Sequence, residues 1–122
     1  MNPATAQQLT SGMAAHGQWK VQLSDSIGKG AADLDPASIR RDDECPFGQW
    51  LHGLRDPAVT SDGHWETTMT LHAQLHSSMA QLVTMSKSGK TAEAVAGMGL
   101  GQNFSKISSQ FTREIMAWRD GK

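Results

Sequence analysis

Val, Ile and Thr never alternate with polar neighbours over five or more positions, whereas three long segments place apolar residues three and four apart. This pattern predicts an all-helical chain. In the first segment Leu9, Met13, His16, Leu23 and Ile27 form one stripe with Trp19 beside it, the spacing of a bundle helix, so His16 faces the core. Gly28 and Gly30 end that helix. The stretch from Ala31 to Glu44, punctuated by Asp35 and Pro36, reads as a connection with room for one helical turn, and its charge predicts exposure.

Between Asp43 and Gly53, Pro46 suits a first helical position, the preceding acids suit the positive end of the helix dipole, and Gly53 suits a C-terminal cap. A short helix with Cys45 at its N-terminus follows. Asp56 and Pro57 break the chain. Ser61 or Asp62 then caps a long helix through Trp65, Met69, His72, His76, Met79 and Val83, ending near Gly89. The last segment runs from about Thr91 to Arg119, with Phe104, Ile107, Phe111, Ile115 and Trp118 on its apolar face. Gly97, Gly99 and Gly101 weaken its first half by about 1 kcal/mol each relative to Ala and predict a bend or a close helix approach. The count is three long helices, one short helix and a connection. With 122 residues and no repeat or linker, residues 1–122 read as a single domain.

Charge and cysteine content narrow the setting. Eleven Lys and Arg against twelve Asp and Glu leave a net charge of −1 with the signs mixed along the chain, which argues against a nucleic-acid or anionic-membrane partner. The single cysteine cannot form an internal disulfide, and no basic region followed by an apolar stretch opens the chain. A cytoplasmic location is the expectation.

The chemistry lies among the five His and the one Cys. Residues four apart on a helix share a face, so His72 and His76 can present ring nitrogens to one point; exposed or core histidines are the plainer reading of such a pair. His16 at a core position needs a partner, either a metal or a core hydrogen bond, because an unsatisfied buried imidazole costs roughly 1 to 3 kcal/mol. Cys45 at a helix N-terminus is placed for a dipole-lowered thiol pKa and hence a metal-binding thiolate, though a buried inert cysteine has the same sequence. Together, three nitrogens and one sulfur match the donors zinc prefers in a closed tetrahedral shell, which senses or staples rather than catalyses. His52 and His64 have no partner at a telling spacing and read as surface residues. Ser88-Gly89-Lys90-Thr91 is not a phosphate loop, since Thr84 stands where its first glycine belongs. His72-Ala73-Gln74-Leu75-His76 lacks the Glu of a zinc protease, and the three late glycines lack the strand of a dinucleotide loop.

His16-Gly17-Gln18-Trp19-Lys20, Cys45-Pro46-Phe47-Gly48-Gln49-Trp50-Leu51 and His72-Ala73-Gln74-Leu75-His76 occur in this order and resemble the signature of the chemoreceptor zinc-binding domain family. The resemblance implies a bacterial cytoplasmic sensory domain, an antiparallel four-helix bundle with an extra short helix carrying the cysteine. It further implies zinc held by His16, Cys45, His72 and His76, a homodimer, and an output partner such as a chemoreceptor signalling region or a diguanylate cyclase. Trp19, Phe47, Gly48 and Trp50 are the supporting scaffold it implies, and Cys45 the redox-reactive residue through which oxidants such as hypochlorous acid are reported. Competing readings are a permanent zinc staple, a three-histidine zinc hydrolase in which water displaces Cys45, and a di-iron bundle of the haemerythrin type, for which the carboxylates are missing.

Overall fold

The computed structural model describes residues 2–121, which form seven helices. They are α1 (Pro3–Gly28), α2 (Pro36–Arg40), α3 (Pro46–Gly53), α4 (Pro57–Thr60), α5 (Gly63–Lys87), α6 (Thr91–Gly97) and α7 (Asn103–Arg119). The all-helical class is as the apolar spacing predicts, and the arrangement is compatible with an antiparallel four-helix bundle. Every proline in the chain opens a helix. Asn2, Asp35, Cys45 and Asp56 cap α1 to α4 through their side chains, and Pro3, Pro36, Pro46 and Pro57 follow at positions where a missing N–H costs nothing. Asp56-Pro57, read above as a simple break, therefore starts a one-turn helix.

α5 is the hub, because it packs against all six other helices. Its buried face carries His72, Leu75, His76, Met79, Leu82 and Val83, so the histidine pair shares a stripe with core residues. Leu9 and Ile27 of α1, Leu51 of α3 and Phe104, Phe111 and Ile115 of α7 complete that core, each almost wholly removed from water. The far end of α5 is tied to the end of α1, where the Ser86 hydroxyl donates to the Ile27 carbonyl at 2.7 Å. Ser88 to Lys90 form the turn into α6, with Gly89 at φ +90°, which favours glycine.

Two connections differ from expectation. The charged stretch after α1 is only partly exposed, because Ala31 is buried and Leu34 and Ile39 pack on the core. The last segment does not merely bend: it is interrupted between Gly97 and Asn103, with Gly101 at φ +83°. The close approach predicted there is real, since a Cβ at Gly97 would lie 2.6 Å from Leu82 Cδ2.

Gly48 marks the tightest approach near Cys45, because a Cβ there would collide with the backbone carbonyl of Asp42. Gly53 at the other end of α3 faces open space. Gly48→Ala is therefore expected to destabilise the protein by about 1 to 3 kcal/mol, as overpacking against backbone does. Gly53→Ala should be neutral or stabilising by a few tenths of a kcal/mol to about 1 kcal/mol. Thermal denaturation followed by circular dichroism separates the two.

Candidate metal centre

Three elements deliver four donors to one point. α1 contributes His16, the first residue of the α3 cap contributes Cys45, and α5 contributes His72 and His76 one turn apart. All four donor atoms lie within 4.8 Å of one another. His72 Nε2 is 3.0 Å from His16 Nε2 and 3.1 Å from His76 Nε2. Cys45 Sγ is 3.4 Å from the Nε2 of His72, 3.7 Å from that of His76 and 3.9 Å from that of His16. In a tetrahedron with metal bonds of about 2.0 Å to nitrogen and 2.3 Å to sulfur, donors stand roughly 3.3 to 3.6 Å apart. Five of the six donor separations, from 3.0 to 3.9 Å, bracket that size, and the sixth, between His16 and His76, is within 4.8 Å.

Hydrogen bonding fixes which nitrogens point inward. His16 Nδ1 donates to the Gly12 carbonyl at 2.8 Å, one turn back on α1, and His76 Nδ1 donates to the Ile39 carbonyl at 2.9 Å. A carbonyl can only accept, so in the neutral rings the Nε2 atoms carry lone pairs directed at the cluster. A single Nε2–H on His72 can satisfy one of these lone pairs well; a cation satisfies all of them. His72 is fully buried, and its Nδ1 has no hydrogen-bond partner. The Asp42 carboxylate is the nearest anion, 3.8 Å away, and is itself held by His52 Nε2 at 3.0 Å.

Burial decides the protonation states. Loss of water, reinforced by the neighbouring imidazoles of His76 and His16, pulls His72 from its ordinary value down to about 2. His16 and His76 are lowered for the same leading reason, partly offset by their bonds to the Gly12 and Ile39 carbonyls. Cys45 corrects the expectation drawn from its position. It does cap α3, with the Gly48 N–H pointing at Sγ from 3.3 Å, but burial pushes the thiol up further than the Gly48 and Phe47 N–H groups pull it down. The helix end alone does not make a thiolate here. A cation held by the three imidazoles would supply the missing charge.

The scaffold residues take distinct places. Trp19 lies over His76 with ring centroids 4.7 Å apart and meets His16 edge-on at 5.8 Å. Phe47 contacts His16 and His72 edge-on, and Gly48 lets the Asp42 backbone and the His72 ring both come close to α3. Trp50 is one step removed and stacks on Phe47 and Trp118. Phe111 of α7 stacks on His72 at 5.8 Å and closes the remaining side, a role that its place in the apolar stripe does not reveal. Gly12 has a role that the apolar pattern does not reveal: its carbonyl orients His16, and a side chain there would enter the Phe47 ring. His52 and His64 have partners after all, with His64 Nδ1 2.6 Å from Glu114 Oε1 joining α5 to α7.

Residues 16–83 match the chemoreceptor zinc-binding domain family, a span that begins at His16 and takes in all four donors. The chain belongs to this family. No curated protein and no solved structure matches it. Membership in a zinc-binding family and the convergence of three imidazoles and a thiol point to the same place as a metal site. No helix among the described residues is long and apolar enough to cross a membrane.

Two predictions follow from the buried imidazoles. Their folded pKa values lie below the unfolded value near 6.5, so the unfolded chain binds more protons below that pH. Stability is then full above about pH 6.5 and falls as the pH drops beneath it, at about 1.4 kcal/mol per pH unit for His72 alone. Denaturant titrations of the metal-free chain between pH 7.5 and pH 5 measure that slope, and a flat profile would contradict neutral burial. Asp42→Ala, which removes the carboxylate nearest His72 Nδ1 among the described residues but breaks no hydrogen bond to it, should weaken metal binding by less than about 10-fold in a competition titration.

Proposed function

We propose that this chain is a zinc-binding sensory domain whose ion is held by His16, Cys45, His72 and His76. The observation that carries the reading is the convergence of three inward-facing Nε2 atoms and one sulfur from α1, the start of α3 and α5. When bound, zinc supplies a charge that keeps the sulfur as thiolate and a tetrahedral demand that fixes the spacing of those helices. The backbone carbonyls of Gly12 and Ile39 hold two of the rings in place, and Trp19, Phe47 and Phe111 keep water away from them. Loss of one donor loosens the packing between the elements it joins and so shifts a helix equilibrium.

The thiol is the donor that can be switched chemically. Hypochlorous acid converts a thiolate to sulfenic acid: the sulfur loses an electron pair, a bond to oxygen forms, the oxygen–chlorine bond breaks and chloride leaves. The oxidised sulfur is a poor donor, so oxidation and zinc loss produce the same helix movement. We read the domain as a homodimer in the cytoplasm that passes this movement to a chemoreceptor or diguanylate cyclase output. It is not an enzyme in this account. Four protein donors fill a tetrahedral shell, and the carboxylate nearest a donor ring, Asp42, lies beside Nδ1 of His72, on the far side of that ring from the cluster.

Metal content by mass spectrometry tests the assignment. About one zinc per chain is expected in the wild type, with much less in Cys45→Ala and His72→Ala. On titration with hypochlorous acid, zinc release should keep step with Cys45 oxidation. Zinc retained after Cys45 is oxidised would make the ion a permanent staple.

A further inference from the structure

Two cavities abut the donor cluster, one on each side of Trp19. The first, about 220 Å³, lies between α1 and α7 and reaches His16 past Lys20, Ser108 and Thr112. The second, also about 220 Å³, reaches Cys45 and His76 past Ser38, Arg41 and Glu44. Their charges differ: the first lining is cationic, and the second offers a carboxylate. Lys20 is the only Lys, Arg, Asp or Glu lining the first, and its ammonium sits 5.8 Å from the Phe104 ring centre. At the second, one guanidinium is shared between two carboxylates: Arg41 donates to Asp43 from two nitrogens at 3.1 Å and lies 3.3 Å from Glu44. The lining itself, Arg41 and Glu44, is neutral, and Asp43 just outside it draws the Arg41 guanidinium away from Glu44.

The Glu44 carboxylate is held across this second mouth by the Ser38 hydroxyl, which donates to it at 3.3 Å. Behind it the donors are graded in depth. Cys45 is half-buried, His76 and His16 are buried, and His72 is wholly enclosed. A divalent cation must shed its water stepwise to reach them, and a carboxylate oxygen at the mouth can replace one water before any imidazole is available. The other cavity offers a cation only an ammonium and two hydroxyls.

We propose that the Ser38–Glu44 cleft is the passage by which zinc reaches and leaves the cluster, with the Glu44 carboxylate as its transient ligand on the way. This rests on the metal site assigned above. A group that binds the ion only in transit lowers the barrier in both directions and leaves the equilibrium untouched, whereas a clasp that shuts the site slows release. The two roles move the exchange rate in opposite directions.

Zinc isotope exchange on the zinc-loaded full chain, at fixed free zinc and followed by mass spectrometry, reads this directly. Glu44→Gln keeps an oxygen for Ser38 and removes the charge. It should leave one zinc per chain and an affinity within about twofold of wild type, while slowing exchange at least about threefold. Lys20→Gln should leave exchange unchanged. Exchange that is unaltered or faster in Glu44→Gln, or that responds to Lys20→Gln instead, would overturn the proposal. Wild-type protein that holds no zinc would remove the metal site itself, a different failure visible before any exchange is measured.

Discussion

The constraint on which the structure depends is the burial of three neutral imidazoles and a thiol around one point. Imidazole is polar, and each buried nitrogen without a partner costs roughly 1 to 3 kcal/mol. The fold meets that cost at two nitrogens through the carbonyls of Gly12 and Ile39, and turns the three Nε2 atoms and the sulfur toward each other. Without a cation, one Nε2–H on His72 and the Cys45 thiol proton satisfy only part of this set of lone pairs, whereas a cation would satisfy all of it. The close approaches nearby serve the same end: Gly12 makes room for Phe47, and Gly48 for the Asp42 backbone.

Because the donors come from α1, the cap of α3 and α5, the cluster joins segments far apart in sequence. α5 carries two of them and packs against every other helix, so the cluster sits on the helix that all the others share. Phe111 links it to α7, and Ile39 links it to the connection after α1. Such a site is central to the packing rather than peripheral, which is what the proposed sensory role requires.

Much of this was legible in the sequence, for identifiable reasons. Spacing of three and four reports burial, so His16 in the stripe of α1 and the His72–His76 pair in that of α5 were placed correctly. Cys45-Pro46 announced a helix start, and the same cap-and-proline logic at Asp56-Pro57 would have revealed α4. Local pattern could not show contacts made across the chain. Nothing adjacent to Asp42 or Gly12 reveals that one faces His72 and the other orients His16, and His64 meets Glu114 from fifty residues away. The thiol is the clearest case: position on the helix suggested a lowered pKa, while burial, a property of the whole fold, reverses it.

X-ray absorption at the zinc edge of the purified protein tests the central claim most directly, because it counts donors by element. The account predicts one sulfur at about 2.3 Å and three nitrogens at about 2.0 Å, with the imidazole scattering pattern of histidine. A shell of oxygen and nitrogen without sulfur, or one with a bound water in place of an imidazole, would contradict it.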